Sequence, residues 1–247
     1  MSPGRHQPVT SSLSDTPPPL GPLWREAMAI ADVRRRFARA GQPTRAVAVA
    51  DGPPLMVIPG FLAGDMSTEV LRAHLSQAGY EVHGWGQGIN MGASEARLAH
   101  LSKDVSRLAR RRGRPVRLVG WSLGGLYARE IAKRIPDEVS RVVTLGSPFS
   151  GDPRANRVWW LYEWINGHPV DNPPIDCDLP AKPPVPTIAL WSRDDGIVAA
   201  SCARGQPHEA DAAIELSCCH IGFTFEPEAL EAVVAALSDD RYGGREQ

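Results

Sequence analysis

The stretch GWSLGG, Gly120 to Gly125, places one hydroxyl among three glycines directly after the apolar run VRLV. A serine hydroxyl is a useful nucleophile only when a base takes its proton, and the base works only when an acid orients it. G-x-S-x-G by itself also describes an ordinary glycine-rich turn. It gains chemical meaning when a strand enters the turn and a helix leaves it, because a strained turn then lifts the serine to the C-terminal edge of a sheet. Here VRLVG reads as a buried strand and LYAREIAKRI as a helix. Ser122 is therefore the candidate nucleophile. Gly120 and Gly124 are expected because side chains there would meet the facing strand and helix.

In this architecture the acid follows the nucleophile along the chain and the histidine comes last. One acidic turn downstream follows a strong strand, in IALWSRDDGIV, so Asp194 and Asp195 are both candidates. Asp195 is preferred: it directly precedes Gly196, and the D-G-x-V arrangement lets the turn reverse and bury Val198. Three histidines follow Ser122. His168 precedes the acid and His208 lies in a polar loop. His220 stands directly after AAIELSCC, at the end of the last strand and before a closing helix, and is the candidate base. Acyl transfer also needs two backbone N–H groups aimed at the developing oxyanion. Leu123, next to the nucleophile, supplies one. In the loop IPGFLAGD, Pro59 and Gly60 make the turn, leaving the Phe61 amide as the second donor, with Leu62 behind it.

These residues need a scaffold, and the chain alternates strand and helix patterns throughout. Strands are expected at LMVI, Tyr80 to Trp85, VRLVG, VSRVVTLG, VPTIALWS and AAIEL. Helical spacing follows Ser67 (Val70, Leu71, Leu75) and Ser94 (Leu98, Leu101, Val105, Leu108), and recurs from Pro227 to Leu237. Ser94 caps its helix; Gly113 and Pro115 end it. The expected fold class is α/β: a three-layer sandwich with a mostly parallel central sheet flanked by helices. Residues 1–22, rich in proline and serine, read as a disordered tail. Residues 23–247 read as a single domain, with LWREAMAIADVRRRFARA as an amphipathic helix docked on it.

With 27 Lys and Arg against 28 Asp and Glu, the chain of 247 residues is nearly neutral, which argues against nucleic acid as a partner. No apolar stretch suits a membrane span or a secretory signal, so a cytoplasmic protein is expected. Basic amphipathic helices can lie on membranes, so peripheral membrane contact stays open. The four cysteines form no C-x-x-C pair, and one disulfide or four free thiols are both compatible with their spacing. No metal or cofactor is expected, since the chemistry draws on side chains and amides alone. Oligomeric state is not legible.

VIPGF, GWSLGG, TLGSPFSG, SRDDGIV and CHIGF together resemble the α/β-hydrolase superfamily, at its lipase and esterase end, over about Leu55 to Leu237. The resemblance implies a sheet of the eight-stranded type and a short lid inserted at about 151–184. Within that insertion RVWWLYEWINGH could wall an apolar acyl pocket, through Val158, Trp159 and Trp164. Two positions depart from the family pattern: Pro59-Gly60 stands where many lipases have His-Gly, and Cys219 precedes the histidine where Ser or Gly is common. The function expected is a serine hydrolase cleaving small-molecule or lipid carboxylic esters. An acyltransferase on the same three residues, or a hydrolase-fold binding protein, are the alternatives.

Overall fold

Apolar runs too short for helices become the strands of one parallel sheet, because crossover helices cover both of its faces and leave no side for polar residues. The structure, a computed structural model, describes residues 16–18, 26, 52–152, 154–157, 159, 162–163, 175 and 177–238. Among these the strands are β1 (Pro54–Ile58), β2 (Glu81–Gly84), β3 (Val116–Trp121), β4 (Val139–Leu145), β5 (Thr187–Ser192) and β6 (Ala212–Leu216). Every pairing is parallel, in the order β2-β1-β3-β4-β5-β6. The described residues thus give six strands, fewer than the eight-stranded type implied by the resemblance. The helices are α1 (Glu69–Gln77), α2 (Glu95–Arg112), α3 (Leu123–Arg134), α4 (Ala200–Arg204) and α5 (Pro227–Ser238). The short helix α4 carries no periodic apolar signal and was not anticipated.

Strand alternation sorts the core into two halves. Leu55 and Val57 of β1 pack with Leu71 and Leu75 of α1 and with Leu230 and Val233 of α5. Met56 and Ile58 face the other way, onto Leu98, Leu101 and Val105 of α2 and Tyr127 and Ile131 of α3. This is the three-layer arrangement. The Ser94 hydroxyl accepts from the Arg97 amide at the start of α2, and Gly113 ends that helix in the left-handed region at φ 64°. The cluster Arg110 to Arg112 closes its last turn, where cations favour the helix dipole.

The strand order reverses direction at β1. The chain passes from β1 outward to β2, then returns to place β3 on the opposite side of β1. Such a switch point opens a crevice at the carboxyl ends of the strands. The loop after β1 carries Phe61 and the turn after β3 carries Ser122, so both lie at that crevice. All four cysteines are free thiols, which resolves the alternative left by their spacing. No helix among the described residues is long and apolar enough to cross a membrane. The proposed tail and N-terminal helix lie outside the described residues except at 16–18 and 26. There the Pro18 carbonyl accepts a hydrogen bond from the Arg157 guanidinium.

The tight passage from β3 into α3 has a measurable consequence. A Cβ on Gly124 would stand 2.1 Å from the Ile58 carbonyl oxygen, a backbone atom that cannot move without displacing β1. Gly124→Ala is expected to lower stability by about 1–3 kcal/mol, read from urea unfolding midpoints.

Candidate active site

Ser122 occupies φ 54°, ψ −123°, outside the conformations ordinary side-chain-bearing residues adopt. Its amide donates to the Leu145 carbonyl at 2.8 Å, tying the turn to the end of β4. Its own carbonyl accepts from the Gly125 amide at 3.0 Å, starting α3. The approach is close on both sides: a Cβ on Gly120 would lie 2.4 Å from the Gly124 backbone, and one on Gly60 would lie 3.1 Å from the Ser122 Cβ.

The loop after β1 is held by a residue sequence reasoning missed. Asn90, fully buried, donates through Nδ2 to the Pro59 carbonyl at 2.9 Å and accepts through Oδ1 from the Gly92 amide. Its backbone carbonyl accepts from the Leu62 amide at 2.7 Å, and its amide donates to Ala63. The Leu62 amide is therefore engaged. The Phe61 amide donates to none of the described residues. Asn90 also braces the loop in which Pro59 replaces the histidine of many lipases. The Phe61 ring packs 5.4 Å from that of Tyr162.

Asp195 and His220 come from the turns after β5 and β6, and both are buried, at 2% and 5% exposure. His220 Nδ1 lies 2.7 Å from Asp195 Oδ2. A carboxylate only accepts, so Nδ1 carries the hydrogen and Nε2 is the ring nitrogen left as acceptor. The other oxygen, Asp195 Oδ1, accepts from the amides of Ile197 and Val198, each at 2.8 Å. These bonds make the turn reverse and bury Val198. Asp194 is half-buried and its amide donates to the Ser192 hydroxyl. Of the two candidate acids, Asp195 is the one that meets the imidazole.

Trp121, immediately before Ser122, links the serine turn to the histidine. Its indole Nε1 donates to the His220 carbonyl at 3.0 Å, and its ring stands 5.6 Å from the imidazole. Gly146, at the end of β4, runs alongside the pair. A Cβ there would be 3.0 Å from Asp195 Oδ2 and 3.1 Å from His220 Nδ1. No hydrogen bond joins the Ser122 hydroxyl to the imidazole among the described residues, a contact that often tightens only with substrate bound.

Burial drives the His220 imidazole toward its neutral form. The Asp195 charge and hydrogen bond, and the Glu26 charge, overcome that, and its pKa is raised above the usual histidine value. The adjacent thiols behave differently. Burial, with Glu26 and Glu226 nearby, pushes Cys219 up to about 12, and burial with Glu226, Asp195, Cys219 and Glu228 nearby raises Cys218 as well. Both stay protonated at neutral pH, the reverse of what a redox-active thiol needs.

Ser122 opens onto an apolar cavity of about 100 Å³. Its walls include Leu123, Tyr127, Trp159, Ile175 and Leu179, with Glu130 and Asn156 as polar members. Trp159 thus stands on the cavity wall; Val158 and Trp164 lie outside the described residues. The segment 155–157 pairs with the acid turn: Arg157 donates to Ile197, and Ala199 donates to Ala155. Tyr162 accepts from the Ala93 amide at 3.0 Å. Burial raises the Tyr162 hydroxyl to about 12, so it stays protonated.

The model of the alpha/beta hydrolase fold family matches residues 53–176, half of the chain. The structure is similar to an esterase of Pyrococcus furiosus, with TM-score 0.58, 15% identity, and coverage of 80% of this chain and 86% of that one. It is similar to lipase B of Aspergillus fumigatus, with TM-score 0.57 and 18% identity, over 82% of this chain and 56% of that one. A carboxylesterase of Bacillus subtilis gives TM-score 0.55 and 16% identity, over 87% and 99%. At these identities the likeness is one of fold. No curated protein sequence matches the chain.

Because Asp195 is the largest influence that raises the His220 pKa against burial, Asp195→Asn is expected to move the imidazole titration to lower pH. Histidine ring resonances followed by NMR across pH would read the shift, and an unchanged midpoint would contradict the pairing.

Proposed function

The chain belongs to the α/β-hydrolase fold family, and on that premise we propose that it is a serine hydrolase of carboxylic esters working through an acyl-enzyme on Ser122. The observation that carries this reading is the buried Asp195–His220 pair beside a serine in strained backbone. The Nδ1 bond to Asp195 fixes the tautomer that leaves Nε2 as the proton-accepting ring nitrogen, the form a general base needs. The esterases and lipases among the similar structures support the substrate class.

In this reading His220 Nε2 takes the Ser122 proton as Oγ attacks the ester carbonyl. Asp195 holds the tautomer and stabilises the imidazolium that forms. The Phe61 and Leu123 amides receive the oxyanion, and the N-terminus of α3 adds its positive dipole end. The imidazolium then protonates the leaving alkoxide. Water, deprotonated by the same nitrogen, attacks the acyl-enzyme and releases the acid and the free serine.

The cavity beside Ser122 is where the acyl group lies. At about 100 Å³ it is smaller than the ~150 Å³ apolar cavity that accepts benzene in a well-studied lysozyme, so short acyl groups fit best. The insertion that contributes Trp159, Ile175 and Leu179 acts as the lid and pocket wall. Partners are small-molecule or lipid esters.

Ser122→Ala and His220→Ala are each expected to lower kcat on p-nitrophenyl butyrate by ~10⁴-fold or more. A fluorophosphonate probe should label the wild type at Ser122 and not Ser122→Ala. Full activity in Ser122→Ala would sink the assignment. The base must be neutral to act, and its pKa is raised, so kcat/KM should climb with pH through a midpoint above ~6.5 and plateau beyond it. Across an acyl series, butyrate should be turned over faster than dodecanoate; the opposite order would overturn the pocket reading.

A further inference from the structure

We propose that Glu26, from the N-terminal segment, is a positioning residue of this site, whose carboxylate clamps the Asp195 turn to the His220 turn through their backbone amides. The proposal rests on the reading of Ser122, Asp195 and His220 given above. Glu26 is buried, at 5% exposure. Its Oε1 accepts from the Gly196 amide at 3.1 Å and from the His220 amide at 2.6 Å. Its Oε2 accepts from the Ile221 amide at 3.1 Å. Gly196 follows the acid directly, and His220 is the base itself. One side chain thus spans the two turns whose separation sets the 2.7 Å bond between Asp195 and His220.

The chemistry of the clamp is specific to a carboxylate. Three converging N–H donors need an acceptor-only group, and no neutral side chain of this size offers one. Buried amides without an acceptor would be costly, so the two turns and the carboxylate hold one another. The clamp also sets the electrostatics of the base. Among the described residues, Asp195 and Glu26 are the charges that raise the imidazole; the neighbouring thiols of Cys218 and Cys219 stay protonated, and Glu226 lies against Cys219. The rings of Trp121 and Phe223 complete the enclosure without charge. Glu26 therefore supplies negative charge to an imidazole that becomes cationic during reaction, without touching it through the ring.

The test uses Glu26→Gln and Glu26→Asp in the full chain. In Glu26→Gln an NH2 replaces one oxygen and faces an amide that has nothing to donate to. The His220 titration, followed by NMR, should move to lower pH. On p-nitrophenyl butyrate kcat should fall ~10- to 100-fold, as for a displaced reacting group, with KM changed less than about threefold. Glu26→Asp keeps the charge but shortens the reach. It should keep the His220 titration near the wild-type value while still losing kcat, and it decides the matter if Glu26→Gln does not fold. Wild-type titration and kcat in a folded Glu26→Gln, or wild-type kcat in Glu26→Asp when Glu26→Gln does not fold, would falsify the proposal. If the wild type itself cleaves no ester and takes no fluorophosphonate, the functional reading fails instead, and the titrations of the variants still decide whether Glu26 sets the histidine.

Discussion

Ser122 is held at φ 54°, where a residue with a side chain carries strain on the order of 1–3 kcal/mol. Strain of that kind persists only where the surroundings leave no alternative. Here they do so from every direction. The amide is taken by Leu145 and the carbonyl by Gly125. The strand before the serine is paired on both sides, and β1 and α3 press so closely that only glycine fits at 120 and 124. Leu62 is the other described non-glycine residue at positive φ, and it lies in the loop across the crevice. The backbone strain of the described residues thus gathers at one edge of the sheet, at the switch between β1 and β3.

The polar side of the same edge obeys a different rule. Its buried acceptors and donors are tied to one another. Asp195 spends one oxygen on its own turn and the other on His220, Trp121 takes the histidine carbonyl, and Glu26 takes the amides of both turns. Gly146 lets β4 pass alongside the pair without a side chain in the way. The imidazole ends up gripped through its backbone and through Nδ1.

Much of this was legible in the sequence because it is written in local patterns. Alternating apolar runs and helical spacings gave the strands and helices, and glycine at fixed offsets marked the serine turn. The choice between Asp194 and Asp195 followed from turn chemistry, since the reversal that buries Val198 needs the carboxylate next to Gly196. Asn90 and Glu26 left no such trace. Both work by bonding to main-chain groups, which every residue carries, and the partners of Glu26 lie 170 to 195 positions away. The N-terminal stretch showed its apolar period, and Glu26 looked like any residue on a charged face. Helix α4 was invisible because five residues are too few to display a period. The cysteine spacing allowed a bridge, and only their positions in space exclude it.

Arg129 lies fully buried in α3, stacked 4.1 Å from the Phe149 ring. Its guanidinium donates to the carbonyls of Glu209, Leu179, Pro180 and Ala181. Burial lowers its pKa to about 10, and it remains a cation at neutral pH. The stretch it grips forms part of the cavity wall through Leu179. A main-chain anchor is indifferent to what the anchored residues carry. The wall can therefore be re-lettered at 179 while its track is kept, so what the cavity presents and the integrity of the scaffold are adjustable independently of each other.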